Sequence, residues 1–119
     1  MTLSLQGVRA RYGPRRVVGV TEPVTLACAP GEFTAVLGPN GSGKSTLLRV
    51  AAGLHRPEAG RSVIDGRDVR TVARRSLARE LAFVAQSPTA PPGATVREIA
   101  NLGRHPHVGW HGRWRDADR

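Results

Sequence analysis

Nine consecutive residues, Gly38-Pro39-Asn40-Gly41-Ser42-Gly43-Lys44-Ser45-Thr46, constrain the fold of this chain more than any other stretch. They meet every fixed position of the phosphate-binding pattern G-x-x-x-x-G-K-[ST]. A triphosphate packs several negative oxygens together, and a backbone can surround them only where its N–H groups converge without side chains in the way. Gly38, Gly41 and Gly43 permit that approach, and the amides from Gly41 to Thr46, with Asn40 and Ser42 in the wrap, would form a nest. The helix that follows would add its positive end. Lys44 is placed to reach the β- and γ-phosphates. Ser45 carries the hydroxyl that a nucleotide-borne Mg2+ needs, and Thr46 offers an amide and a hydroxyl near the α-phosphate. The motif requires a strand before it and a helix after it. The apolar run Phe33-Thr34-Ala35-Val36-Leu37 predicts the strand, and Thr46-Leu47-Leu48-Arg49-Val50-Ala51-Ala52-Gly53-Leu54 predicts the helix.

The rest of the chain predicts an antiparallel β group ahead of the loop. Leu3, Leu5 and Val8 alternate as a strand over residues 3–11, and Tyr12-Gly13-Pro14 reads as a turn. Val17-Val18-Gly19-Val20 and Val24-Thr25-Leu26-Ala27-Cys28 read as two further β segments separated by Thr21-Glu22-Pro23, and Pro30-Gly31 as a turn. After the helix, Arg61-Ser62-Val63-Ile64 predicts a strand entering a tight Asp65-Gly66 turn. Residues 72–78 predict a short helical turn beside Arg74, Arg75 and Arg79, and Leu81-Ala82-Phe83-Val84-Ala85 a buried strand ending at Gln86. Pro88, Pro91, Pro92 and Gly93 make a loop. A second helix should start at Thr95, because Thr95 and Glu98 have capping-box spacing and Ile99 and Leu102 supply an apolar face.

Charge and cysteine usage narrow the function classes. A net charge of +9 suggests nucleic acid or an anionic membrane until its distribution is read. The arginines are scattered singly or in pairs such as Arg15-Arg16, with no basic block and no interleaved aromatic residues for stacking, so nucleic acid is disfavoured as a partner. No run approaches the roughly 18 apolar residues of a membrane span, and the N-terminus lacks signal-peptide character, which predicts a cytosolic chain. The single cysteine, Cys28, lies in an apolar stretch and reads as a buried thiol. His105, His107 and His111 form no recognised ligand set with Cys28, so a metal centre is not expected there.

Taken together, Tyr12-Gly13, residues 38–46, Gly53-Leu54, Pro57 with Gly60, Asp65-Gly66 and Gln86 resemble the N-terminal half of an ATP-binding cassette (ABC) ATPase domain. The resemblance covers nearly all of residues 1–119, read as one partial nucleotide-binding domain. It implies an α/β fold: a P-loop NTPase core with a parallel sheet segment and an N-terminal antiparallel β segment. By the same resemblance Tyr12 looks like the aromatic residue that stacks on adenine. Gln86 looks like the glutamine that contacts Mg2+ and the attacking water while sensing the membrane subunit. Thr21-Glu22-Pro23 lengthens the interval from Tyr12 to the loop and looks like a small insertion.

Thr95-Val96-Arg97-Glu98-Ile99 with Leu102-Gly103-Arg104-His105-Pro106-His107 is similar to a stretch of the importers for iron-siderophores, haem and cobalamin. That implies ATP and Mg2+ as ligands and a second copy of the ATPase subunit as partner in a homodimer. It also implies permease subunits at the cytoplasmic face of a bacterial membrane, and an indirect link to a periplasmic or lipoprotein binding protein. The family's Walker B carboxylates, LSGGQ signature and switch histidine have no match here. Val63-Ile64-Asp65 places only two apolar residues before its aspartate and reads as a turn, while Asp116 and Asp118 lie in a charged terminal segment. The 119 residues alone are therefore expected to bind ATP weakly without turning it over, as a cassette cut before its helical subdomain. The alternatives are a non-catalytic nucleotide-binding protein and a soluble cassette protein acting on nucleic acid.

Overall fold

The computed structural model describes residues 1–12, 18–87 and 90–108, apart from the side chains of Tyr12 and Val18. The expected turn at Tyr12-Gly13-Pro14, the loop residue Pro88, and Trp110, His111, Trp114, Asp116 and Asp118 fall wholly or partly outside the described residues. The chain divides into two compact units, Met1–Ala73 and Arg74–Arg119.

The first unit is a four-stranded antiparallel sheet carrying one helix. Strands β1 (Leu3–Tyr12), β2 (Val18–Cys28), β3 (Ala59–Ile64) and β4 (Arg67–Asp68) lie in the order β2-β1-β3-β4, with helix α1 (Lys44–Ala51) packed against the first three. The two β segments expected on either side of Thr21-Glu22-Pro23 are one strand. Val8 pairs with Val24 and Ala10 with Val20, so the three residues oppose Arg9 alone and are taken up as an irregularity. Pro23 is tolerated because β2 is an edge strand. β3 runs into the expected two-residue turn, where Asp65 (φ 46°) and Gly66 (φ 80°) both take the positive φ of a type I′ hairpin. The Asp65 carboxylate also accepts from the Thr2 amide at 2.7 Å, tying the turn to the start of β1.

Leu5, Val8, Ala10 and Val20 from the sheet and Leu47, Val50 and Ala51 from α1 form the core. α1 buries Thr46, Leu47, Val50 and Ala51, the one-sided spacing that a 3.6-residue period produces. Its end is a Schellman motif: the Gly53 amide donates to the Val50 carbonyl at 3.0 Å and the Leu54 amide to the Arg49 carbonyl at 2.8 Å. The buried Ser62 hydroxyl donates to the Ala51 carbonyl at 3.0 Å, so a further terminal acceptor is satisfied by β3.

The second unit holds α2 (Arg74–Glu80) and α3 (Val96–Leu102). The capping box is present in full: Glu98 N donates to Thr95 Oγ1 at 3.2 Å, and Thr95 N donates to a Glu98 carboxylate oxygen at 2.7 Å. Ahead of it, the Ala94 amide bonds the Pro91 carbonyl across Pro92-Gly93, with Gly93 at φ 82°, as a type II turn. On α2, Arg75 and Arg79 lie one turn apart and both donate to the Pro106 carbonyl, at 3.0 and 2.8 Å, and Arg75 also bonds the Val108 carbonyl. Two of the arginines that raise the net charge thus act as internal struts.

Two expected strands are not formed. Residues 33–37 and 81–85 belong to no ladder, so the parallel sheet segment is not realised among the described residues. Phe33 is 92 % exposed, Leu37 89 % and Val84 89 %. The physical reason is that a strand is defined by its neighbour: an apolar run gains burial and backbone hydrogen bonds only when another strand lies beside it. Cys28 is half-buried rather than buried. It lines an apolar groove of about 350 Å³ in the first unit, with Leu3, Leu26, Phe33, Val36 and Leu48.

Candidate functional site: the Gly38 to Thr46 loop

The loop begins after a turn closed by Glu32, whose amide donates to the Ala29 carbonyl and whose carboxylate accepts from the Ala29 amide at 2.7 Å. Its middle folds on itself where the Ser42 amide donates to the Pro39 carbonyl at 3.3 Å, so one of the amides expected in the nest is engaged within the loop. Asn40, Gly41 and Ser42 are exposed. Gly43 is the pivot: it is buried, caps α1 in a left-handed conformation (φ 89°), and leaves no room for a side chain. A Cβ there would stand 2.6 Å from the Gly19 carbonyl carbon and 2.9 Å from Val20 Cγ2.

The first intrahelical bond of α1 runs from the Leu47 amide to the Gly43 carbonyl at 2.8 Å, so the amides of residues 44–46 precede the ladder. No side chain caps this end and its first turn contains no acidic residue. The exposed hydroxyl here is that of Ser45, Thr46 being buried. Lys44 Nζ donates to the carbonyls of Gly38 and Pro39, at 2.7 and 2.6 Å. Both acceptors are neutral, so the ammonium holds the loop closed while its positive charge stays uncompensated by them. The arrangement therefore collects amides that precede the helical ladder, a helix N-terminus and a cation, which together suit a polyanion.

The other two predicted site residues, Tyr12 and Gln86, lie outside the loop. The Tyr12 backbone ends β1, paired with Val18. Gln86 lies in the second unit and is exposed, just after the unpaired apolar run 81–85. Among the described residues no three His, Cys, Asp or Glu side chains come together as a metal site, and no helix is long and apolar enough to cross a membrane.

Sequence reasoning missed two supporting residues. Gly19 receives Gly43 on one side, and on the other a Cβ would stand 2.1 Å from the Ala10 carbonyl oxygen and 2.6 Å from Arg11 Cα. A glycine inside the valine-rich run 17–20 signals such close backbone approach. His55 is the second: its Nε2 lies 2.9 Å from the Arg11 carbonyl. Nothing in its spacing announces that partner, 44 residues away.

Known proteins resemble this chain along most of its length. The ABC transporter family model matches residues 21–118. The chain is 35% identical over 118 residues to the iron(3+)-hydroxamate import ATP-binding protein FhuC of Bacillus subtilis, covering 99% of this chain and 43% of that protein. It is 41% identical over 99 residues to the ferric enterobactin transport ATP-binding protein FepC of Escherichia coli, covering 83% of this chain and 36% of that protein. The cobalamin import ATP-binding protein BtuD of Halobacterium salinarum is 36% identical over 108 residues, covering 91% and 26% respectively. Among solved structures, a bacterial Atm1-family ABC exporter with ATP bound superposes with a TM-score of 0.55 at 31% identity, over 64% of this chain and 13% of that chain. The chain thus spans less than half the length of each of these relatives, and with a loop of this geometry at the head of α1 it belongs to the ABC transporter family.

Proposed function

We propose that the chain is the nucleotide-binding portion of the ATP-binding subunit of an importer for an iron-siderophore, haem or cobalamin. The observation that carries the reading is the loop itself: Gly43 packed without a side chain on β2, uncapped amides at the start of α1, and Lys44 anchored across the loop mouth. The amides of residues 43–46 and the Lys44 ammonium would hold the β- and γ-phosphates, and Tyr12 would stack on adenine. Lys44 would exchange its two carbonyl acceptors for phosphate oxygens, an exchange of neutral for charged acceptors that strengthens the hydrogen bonds. The exposed Ser45 hydroxyl would serve as a ligand to Mg2+ arriving with ATP, an ion that would offset charge on the phosphates, and by the family resemblance Gln86 would also contact Mg2+. Ser45 fits that role by its chemistry, an exposed hydroxyl at the head of α1 beside the amides that would hold the phosphates.

Gln86 and the loop after it would face permease subunits at the cytoplasmic side of the membrane, and a second ATPase subunit would complete the sandwich. Hydrolysis requires a carboxylate that holds the metal and a group that orients water. No such Walker B pattern occurs in these 119 residues, so the pure chain binds ATP without steady turnover. Titration calorimetry with MgATP tests the core of the reading. Lys44→Ala should weaken binding about 10- to 100-fold, the worth of about one charge-assisted hydrogen bond. Unchanged affinity in that variant, or steady phosphate release from the wild-type chain that Lys44→Ala abolishes, would contradict it.

A further inference from the structure

The end of β1, where Tyr12 lies, is held from three directions. On the β2 side, Gly19 presses against Ala10 and Arg11 so closely that a Cβ would overlap their backbone. Behind Gly19 stands Gly43, the pivot of the phosphate loop. On the opposite edge, β3 pairs with β1 as far as Arg9↔Ala59, and the Glu58 amide donates to the Arg9 carbonyl at 2.7 Å. Residues two apart in a strand direct their carbonyls to the same edge, so the next acceptor on that edge is the Arg11 carbonyl. Among the described residues no strand residue pairs with it there. His55 takes that place, with Nε2 at 2.9 Å. A carbonyl can only accept, so Nε2 carries the hydrogen in this contact.

His55 follows directly on the Schellman end of α1, and its own amide donates to the Arg49 carbonyl at 3.1 Å. One helix therefore begins at the phosphate loop and, through the residue that follows its Schellman motif, reaches the backbone beside Tyr12. We infer that His55 is a positioning residue for the adenine end of the nucleotide site, acting as a surrogate strand donor on the Arg11 carbonyl. It fixes the distance between the stacking position at Tyr12 and the phosphate loop. The inference rests on the reading of Tyr12 as the adenine-stacking residue. It concerns a base-bearing ligand, and inorganic triphosphate should be indifferent to it.

Calorimetric titration of the chain with MgATP and, separately, with magnesium triphosphate distinguishes the possibilities. His55→Ala should weaken ATP binding about three- to tenfold, the worth of one net hydrogen bond, and change triphosphate binding by less than about twofold. His55→Gln, whose amide can donate to the same carbonyl, should recover most of the ATP affinity. In a Tyr12→Ala background, His55→Ala should cost no further ATP affinity. Equal weakening toward both ligands, or full additivity with Tyr12→Ala, would assign His55 a general structural role and overturn the inference while the reading of Tyr12 stands. A wild-type chain that binds ATP no more tightly than triphosphate would fail the reading of Tyr12 itself, and the inference with it.

Discussion

Gly43 shows how one residue joins fold and site. Its φ of 89° and its contact with Gly19 make the same atom position serve both the left-handed start of α1 and the packing of the loop on β2. Gly43→Ala should therefore destabilise the chain by about 2–4 kcal/mol, combining left-handed strain with overpacking against backbone that cannot move aside. Urea unfolding measures this, and a change below about 0.5 kcal/mol would show that the contact with Gly19 is not tight. Much of the loop was legible in the sequence because its requirements are local: glycine where backbones approach, lysine next, a hydroxyl after it. Lys44's carbonyl acceptors and His55 were not legible, since backbone acceptors leave no trace in residue type. Gly19 left a trace, a glycine among valines, but its partner did not.

At the scale of elements, α3 is the part most completely specified by its own residues. The Thr95 and Glu98 pair closes both halves of the capping box. Hydrogen bonds from the Thr95 backbone amide and then from its hydroxyl hold the Glu98 carboxyl below its ordinary range. A carboxyl with a depressed folded value contributes stability above its unfolded value, and that contribution is lost as pH falls through the folded one. The start of α3 should therefore fray selectively in acid, seen as loss of amide-exchange protection at Glu98 and Ile99 below the usual carboxylate range. Glu98→Gln should lose most of that pH dependence, and a helix equally protected at every pH would contradict the assignment. The strands at residues 33–37 and 81–85 differ from α3 in kind. Their composition is right for burial, but a strand's hydrogen bonds lie on another strand, which local sequence does not contain.

Across the whole chain, the first unit carries a core, a groove and a bare apolar segment side by side. Phe33 and Leu37 expose nearly their full surface, and Leu48 is half-exposed beside the groove. Such a surface favours self-association despite the net charge of +9. Phe33→Ser with Leu37→Thr should raise the soluble monomer fraction in light scattering and change unfolding stability by less than about 0.5 kcal/mol, as substitutions of exposed side chains do. A large stability loss would mean these side chains are buried in solution. The antiparallel half of the expected fold was readable because its strands pair with one another within the first unit. The parallel segment was not, because the described residues offer it no neighbour.

The central claim is that residues 41–46 form a polyphosphate cradle, and the most direct measurement is the backbone amide spectrum of the chain titrated with MgATP. The amides of residues 43–46 should shift first and furthest, and those shifts should be lost in Lys44→Ala. Shifts confined to the groove lined by Leu3, Leu26 and Phe33, or none at saturating nucleotide, would contradict it.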